Sequence, residues 1–515
     1  MAPTTTTTAE TASMIESISP FTGESTGAVA EATATTQVDA IARAAAAAAP
    51  AFDALGRGRR AALLRRLADF LEESRDEIIS TAHAETAIPE ARLGGELNRT
   101  AYQARFFADV ITDGAYLEAT VDHAGDTPMG PGPDLRSMLV PTGPVAVFGA
   151  SNFPLAFSVP GGDTVSALAA GNPVVIKAHS SHPRLSQLTF GILNRAAAEI
   201  GAPKGTVGIV YGTAAGAALV AHPAITAVGF TGSLSGGQAL LDIIAERENP
   251  IPFFGELSSI NPLVVSPGAA ASRGTEIAAG LVGSFTTSGG QLCTKPGVVY
   301  VPVGADGDNL VAEAARQVED TDSSVLLNQR IAGEYADYAA ASASWTDVSV
   351  VAEGTADPDG TGVAARLLET SAKSINGREL SECFGPTTII IRYGDSELDA
   401  ALETLPGSLT ATVHSEPGEE GFAAHVFDQL RPKAGRLLHN GYPTGVLVSW
   451  AQTHGGPWPS TNTQYTSVGA HAIKRWLRPV TWQDVPEALL PAELREGRAA
   501  IPRRIDGALI TPAVG

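Results

Sequence analysis

Residues 207–237 read V-G-I-V-Y-G-T-A-A-G-A-A-L-V-A-H-P-A-I-T-A-V-G-F-T-G-S-L-S-G-G. An apolar run at Val207–Tyr211 leads into a helical segment at Ala214–Ala221. A second apolar run, Ala224–Phe230, then ends on a glycine turn that opens another helix, Gly236–Ala245. Short apolar strands alternating with helices of this length are joined by right-handed crossovers, which makes them parallel neighbours in a sheet covered on both faces. The alternation continues outward on both sides. Upstream lie a predicted strand at Val174–Lys177 and a helix at Ser186–Ile200; downstream, strands are predicted at Pro252–Glu256 and Pro262–Val265. The pattern resumes with strands at Val298–Val301 and Thr387–Arg392 and helices at Asp308–Val318, Ile331–Ala341 and Ser396–Leu405. Two α/β domains in tandem, meeting near residue 258, are the expectation.

The chain before this region is helical in its spacing of apolar residues, with predicted helices at Thr35–Ala49, Gly58–Glu73, Arg75–Glu85 and Glu90–Val110. A turn at Ile18–Gly23 and a short strand near Gly27–Ala30 precede them. The Pro- and Gly-dense stretch from Asp122 to Leu135 reads as a linker or crossing loop, and two short apolar runs, Arg136–Leu139 and Val145–Phe148, follow it.

Composition excludes several functions. A chain of 515 residues exceeds one hydrophobic core. A net charge of −21 leaves no basic face for releasing phosphate counterions, so nucleic acid is not an expected partner. Two cysteines cannot build a disulfide framework or a zinc cluster, and the ten histidines contain no HExxH, so no metal is predicted. No apolar run approaches the roughly 18 residues of a membrane span, and residues 1–15, rich in Thr, read as a disordered leader. The expectation is a cytoplasmic protein.

The chemistry-bearing residues stand at the ends of the predicted strands. Thr286–Lys295 reads T-T-S-G-G-Q-L-C-T-K and places Cys293 behind a flexible turn. A lone thiol there is either a small packing residue or a nucleophile. Phe230, Thr231, Gly232, Ser233 and Gly237 form a turn onto a helix N-terminus, a place where a diphosphate binds and also a common structural turn. Lys177 ends a strand with Ser180 three residues on; a serine there, unlike a carboxylate, does not repel a 2′-phosphate. Glu256 is flanked by Ile251-Pro-Phe-Phe-Gly255, so its pKa is expected to be raised, as suits a general base. Asn152 follows a strand and could donate to an oxyanion or cap an Asx turn.

Taken in order, Asn152, Lys177, F-T-G-S at Phe230–Ser233, Glu256, G-Q-L-C at Gly290–Cys293 and E-C-F-G-P at Glu382–Pro386 resemble the aldehyde dehydrogenase superfamily. The stretches Glu85–Leu93, Phe148–Thr164, Glu256–Pro262 and Asn440–Gly469 are similar to the branch acting on 2,5-dioxopentanoate (α-ketoglutaric semialdehyde), whose near relatives include a fatty-aldehyde enzyme. The resemblance implies an aldehyde dehydrogenase fold: a Rossmann-like cofactor domain (16–132 and 145–257), an α/β catalytic domain (258–470) and a small β element for oligomerisation (133–144 and 471–515). It implies Cys293 as nucleophile, Glu256 as base for water, and Asn152 with the Cys293 N–H as oxyanion donors. Lys177 and Ser180 would hold the adenosine ribose and its 2′-phosphate, Gly212 and Gly216 would lie near the adenine, and Ser233 near the diphosphate. Glu382 would bind the nicotinamide ribose with Phe384 beside it, and Phe153 would line the substrate tunnel. Arg92, Arg99 and His454 are candidates to meet a substrate carboxylate. NADP is the expected cofactor, with NAD possible, and a homodimer or homotetramer the expected assembly. The implied reaction takes 2,5-dioxopentanoate to 2-oxoglutarate, closing a sugar-acid or hydroxyproline breakdown route; the alternatives are a medium- or long-chain aliphatic aldehyde substrate and, more remotely, a cysteine hydrolase or acyltransferase. Three departures are Ser258-Ser259, where a glycine pair is usual, Ser151, where a bulky aromatic is often found, and Ser381, where a glutamate is common.

Overall fold

The computed structural model describes residues 13–512 apart from 356, 358, 359, 395, 498 and 499. Most of the leader predicted for 1–15 lies outside these residues, but its end does not. Met14–Ile18 is a strand, paired antiparallel with Ser25–Glu31.

Three larger sheets organise the chain. The first is wholly parallel, in the order Phe253–Glu256, Ala227–Thr231, Val145–Phe148, Val174–Lys177, Val207–Val210. Its strands are apolar on both faces because helices cover both. Thr35–Ala54, Thr213–Ala221 and Leu234–Ala245 pack on one side, where Val38, Ala42, Val175, Val228 and Leu240 share a core. Gly56–Glu73, Glu90–Asp113, Gly162–Ala170 and Pro183–Glu199 bury the other. The first helix was predicted to stop before Pro50, yet it runs to Ala54: proline removes only its own N–H, and Phe52, fully buried, anchors the last turn.

The second sheet has seven strands, in the order Val348–Glu353, Arg366–Ser371, Thr387–Tyr393, Val298–Pro302, Pro262–Val265, Ser408–His414, Ala434–His439. All are parallel except the first, which pairs antiparallel with its neighbour. Cys293 lies in the connection that enters the central strand Val298–Pro302 from the helix Pro267–Thr286.

The third sheet is small and mixed: Leu477–Gln483, Leu135–Pro141, Thr120–Asp122, Arg503–Ile505, Ala508–Ile510. Two expectations change here. The stretch read as a linker, Asp122–Leu135, gives its two end residues to this sheet, and its Pro/Gly-rich part folds into a hairpin, Gly125–Thr127 with Gly130–Gly132. Asn172 ties this sheet to the first one, accepting from Gly143 N at 2.8 Å and donating to the Trp476 carbonyl at 3.0 Å. Trp476 itself is fully buried, edge-on to Phe254. No helix among the described residues is long and apolar enough to cross a membrane.

Candidate active site

The first sheet changes direction at its central strand. From Val145–Phe148 the chain moves outward through Val174–Lys177 and Val207–Val210, then returns to add Ala227–Thr231 on the opposite side. Loops leaving Phe148 and Thr231 therefore diverge, and such a switch point is where α/β sheets bind ligands. A cleft of about 250 Å³ opens there. Phe148, Lys177 and the Phe230–Ser233 turn line it from the first domain, Cys293, Glu382 and Phe384 from the second, with Asn152 and Glu256 between. An adjoining cavity shares Lys177 and adds Ser180, Tyr211 and Gly212.

The glycines of this region differ in what they do. Gly212 has φ +97°, which glycine adopts without strain, and it lines the adjoining cavity. A Cβ on Gly216 would sit 3.0 Å from the Phe148 ring and 3.2 Å from the Lys177 stem, so its absence lets the lysine lie across the sheet. Gly237, predicted beside a phosphate, is instead demanded by Leu257, whose side chain fills the place of a Cβ. Ser233 caps the helix Leu234–Ala245, its hydroxyl accepting from Gly236 N at 3.2 Å. Gly232 N donates to the Glu256 carbonyl at 3.0 Å, fixing the glycine turn against the site. Burial lowers the Lys177 pKa, and its ammonium has no hydrogen-bond or ion-pair partner among the described residues.

At the far end of the cleft Cys293 Sγ lies 3.6 Å from His454 Nε2, which lies 2.9 Å from Glu256 Oε1. Ser467 donates to Glu256 Oε2 at 2.9 Å. Burial alone would raise the Glu256 pKa as the sequence suggested, but His454 and then Ser467 outweigh it and hold the carboxyl below its ordinary range. Burial and the nearby Glu256 charge push the Cys293 thiol well up, so it rests protonated. Its backbone N–H has no protein acceptor among the described residues. Asn152, buried, donates through Nδ2 to the Gln291 carbonyl at 2.9 Å, which leaves its second amide hydrogen for another acceptor. Glu382 is pushed up to about 7 by burial, with the Ser258 hydroxyl and Lys295 opposing. Cys383 is buried in the core, and burial raises its pKa.

The residues expected at a substrate carboxylate separate. Arg92 gives Nη2 to the Asn152 carbonyl at 2.8 Å and stacks 4.7 Å over Phe153, so it braces the Asn152 loop instead. His454, 1% exposed, spends Nε2 on Glu256 and Cys293. Arg99 keeps the expected freedom: Nε reaches the Val446 carbonyl at 3.3 Å, while Nη1 and Nη2 are buried without a partner. It stacks over Phe157, which packs against the His454 ring; burial lowers its pKa, opposed by the nearby Glu96 and Glu256 carboxylates.

Sequence reading missed the supports. Asn261, at φ +53°, donates Nδ2 to the carbonyls of Cys293 at 2.8 Å and Lys295 at 2.9 Å, clamping the cysteine loop. Ser259, standing where a glycine is usual, donates to Asn261 Oδ1 at 2.6 Å and so orients the clamp. Glu96 accepts from Leu155 N and Ala156 N at 2.8 and 2.9 Å, holding the turn after Asn152. The signal for Asn261 was its place in E-L-S-S-I-N-P; Ser467 and Glu96 carried none.

Comparison with known proteins agrees with this geometry. The aldehyde dehydrogenase family model matches residues 6–481. A protein of Azospirillum brasilense named alpha-ketoglutaric semialdehyde dehydrogenase 2 is 46% identical over 457 residues, 87% of each chain. Another, alpha-ketoglutaric semialdehyde dehydrogenase of Acinetobacter baylyi, is 39% identical over 510 residues, 97% of each chain. The crystal structure of an E. coli NADP dependent enzyme shares the fold with a TM-score of 0.77 at 22% identity, over 92% of this chain and 94% of that one. The match extends across both α/β sheets and the cleft between them: the chain belongs to the aldehyde dehydrogenase family.

Proposed function

We propose that this aldehyde dehydrogenase oxidises α-ketoglutaric semialdehyde to 2-oxoglutarate, with Cys293 as nucleophile and NADP as preferred cofactor. The observation that carries the reading is Cys293 Sγ in line with His454 and Glu256, beside two donors free to meet an oxyanion. With its own proton on Nδ1, His454 takes the Cys293 proton on Nε2, and the Glu256 carboxylate 2.9 Å away accepts a hydrogen bond from the imidazolium so formed. The trio thus draws the proton off Cys293 as Sγ attacks the aldehyde carbon. Asn152 Nδ2 and the Cys293 N–H stabilise the oxyanion of the thiohemiacetal, each donor contributing about 3 kcal/mol at such sites. When bound, the nicotinamide supplies the two-electron oxidant that makes the adduct a thioester. His454 releases the thiol proton to solvent; Glu256, still a carboxylate, then takes a proton from water as it attacks the thioester, and Cys293 departs as thiolate.

Three features support the cofactor reading. Lys177 is a cation without a partner among the described residues, Ser180 stands beside it in place of a carboxylate, and the helix opened by Ser233 presents its N-terminus to the cleft. Glu382 and Phe384, across the cleft, suit the nicotinamide ribose.

The substrate reading rests on the names of the two relatives and on Arg99, a buried guanidinium with two unpartnered nitrogens near the nucleophile. A carboxylate one short carbon chain from the aldehyde would satisfy both. The test is NADPH formation with α-ketoglutaric semialdehyde and with hexanal, for the native chain and Arg99→Gln. KM for the acid should rise tenfold or more, with hexanal unchanged; an equal change for both would remove Arg99 as the carboxylate's partner, and preference for hexanal would favour an aliphatic substrate. Lys177→Ala, assayed with NADP and NAD, should raise KM for NADP more than for NAD.

The third sheet serves assembly into a dimer or tetramer. Leu489, Leu509 and Ile510 lie exposed on or beside it, and Ala434–His439 leaves an open edge on the second sheet. Sedimentation of the native chain and of Leu509→Asp/Ile510→Asp tests this; an unchanged mass for the variant removes that face.

A further inference from the structure

Glu256, Cys293 and His454 bring a carboxylate oxygen, a sulfur and an imidazole nitrogen within 4.8 Å of one another. Among the described residues no other group of three such side chains does so. Thiolate, imidazole and carboxylate are the ligands zinc takes, at about 2.3, 2.0 and 2.1 Å. Around a tetrahedral ion those bond lengths put sulfur and nitrogen about 3.5 Å apart and nitrogen and oxygen about 3.4 Å apart. The observed separations are 3.6 and 2.9 Å. An ion therefore fits after the His454–Glu256 pair opens by a fraction of an ångström.

We infer that this trio is a zinc site: Zn²⁺ bound by Cys293 Sγ, His454 Nε2 and one Glu256 oxygen, its fourth position open to the cleft, holding the nucleophile in a shielded, inactive state. Each ligand is already held in place. The Cys293 carbonyl is clamped by Asn261 at 2.8 Å. His454 N donates to Thr466 Oγ1 at 2.7 Å, and its carbonyl accepts from Ser467 N at 2.8 Å. Glu256 is bridged to Thr461 through the backbone. Little has to be ordered on binding, and three protein ligands with one open position is the pattern of an accessible zinc site rather than a closed structural one. Charge matches as well, since thiolate and carboxylate together neutralise the ion. Binding exchanges protons and moves no electrons: the S–H proton leaves to solvent as the S–Zn bond forms, and His454 keeps its single proton on Nδ1 while Nε2 ligates. Zinc and aldehyde then compete for the same sulfur. The inference needs no particular aldehyde and stands apart from the substrate proposal.

The test uses the full chain and does not depend on turnover. Equilibrium dialysis against zinc chloride should give one tightly bound ion per chain, and cobalt(II) in its place should show a thiolate-to-cobalt charge-transfer band. Zinc should also slow alkylation of Cys293 by iodoacetamide, read by peptide mass spectrometry, and EDTA should restore it. His454→Gln and Glu256→Gln should each weaken zinc binding by more than the roughly 10–100-fold loss expected for disturbing a supporting residue, and Cys293→Ser should abolish the cobalt band. The inference is overturned if the native chain alkylates at the same rate with and without zinc, if bound cobalt shows no thiolate band, or if the three folded variants bind zinc as the native chain does.

Discussion

Replacing Gly290 by alanine would put a methyl group 2.6 Å from Pro386 Cα and closer still to the Gly385 carbonyl, both backbone atoms that no rotamer change can move. The residue is also at φ +67°, where an L side chain costs about 1–2 kcal/mol. Relieving the contact adds about 1–3 kcal/mol of the kind seen on overpacking, so roughly 2–5 kcal/mol of stability should be lost. The larger effect is on rate. To regain van der Waals distance, the turn before Cys293 and the loop carrying Glu382 and Phe384 must part by about 1 Å, and a displacement of that size at a reacting centre costs about a hundredfold. Gly289 is the internal control. It too has positive φ, +62°, but its added Cβ would meet only the side chains of Gln291, Leu326 and Ser324, at 3.2 Å. Gly289→Ala should lose about 1–2 kcal/mol and less than tenfold in kcat. Both variants are assayed by NADPH absorbance at saturating aldehyde and by thermal unfolding. The reasoning fails if Gly290→Ala keeps kcat within tenfold of the native value, or if Gly289→Ala falls as far.

Stability should respond to pH through Glu382. An acid whose folded-state pKa is raised opposes folding where it must ionise, so stability is intact below 4.5 and falls as pH climbs to about 7. That gap corresponds to at most about 3 kcal/mol, and Glu382→Gln should flatten the melting profile between pH 4.5 and about 7; a parallel profile would contradict it. Arg475, buried, donates to the half-buried Asp163 at 2.6 Å. Arg475→Met strands that carboxylate and should cost about 3–5 kcal/mol, a Tm loss of roughly 6–20 °C. Asp163→Asn in the same chain should recover part of it, and an unchanged Tm for the single variant would show the pair to be neutral.

What the sequence made legible depended on whether a signal was local. The strands Val174–Lys177, Val207–Val210 and Ala227–Thr231 are runs of apolar residues between helices, and their carboxyl ends carry Lys177 and the glycine turn. Pro267–Thr286 is absent from the predicted helices, and its glycines weaken a helical pattern. Gly280, however, is there because the Tyr442 ring occupies the place of its Cβ, a packing reason set by a residue far along the chain. The Glu256 carboxyl was expected to be raised because its neighbours are apolar. It is lowered because the fold delivers His454 and Ser467 from a segment near the end of the second domain. His454 itself was noticed for its cationic potential, and only the fold reveals that its acceptor is the base rather than the substrate. The Cys293 loop was recognisable from its motif, whereas the Asn261 clamp that holds it required the Pro262–Val265 strand to lie beside Val298–Pro302.

The most direct measurement is mass spectrometry of Glu256→Gln after mixing with aldehyde and NADP. With the base for water removed and the nucleophile intact, an acyl group should accumulate on the peptide that carries Cys293, with one NADPH released per chain and no further turnover. Acylation at any other residue, or continued turnover in Cys293→Ala, would contradict the assignment of Cys293 as the nucleophile.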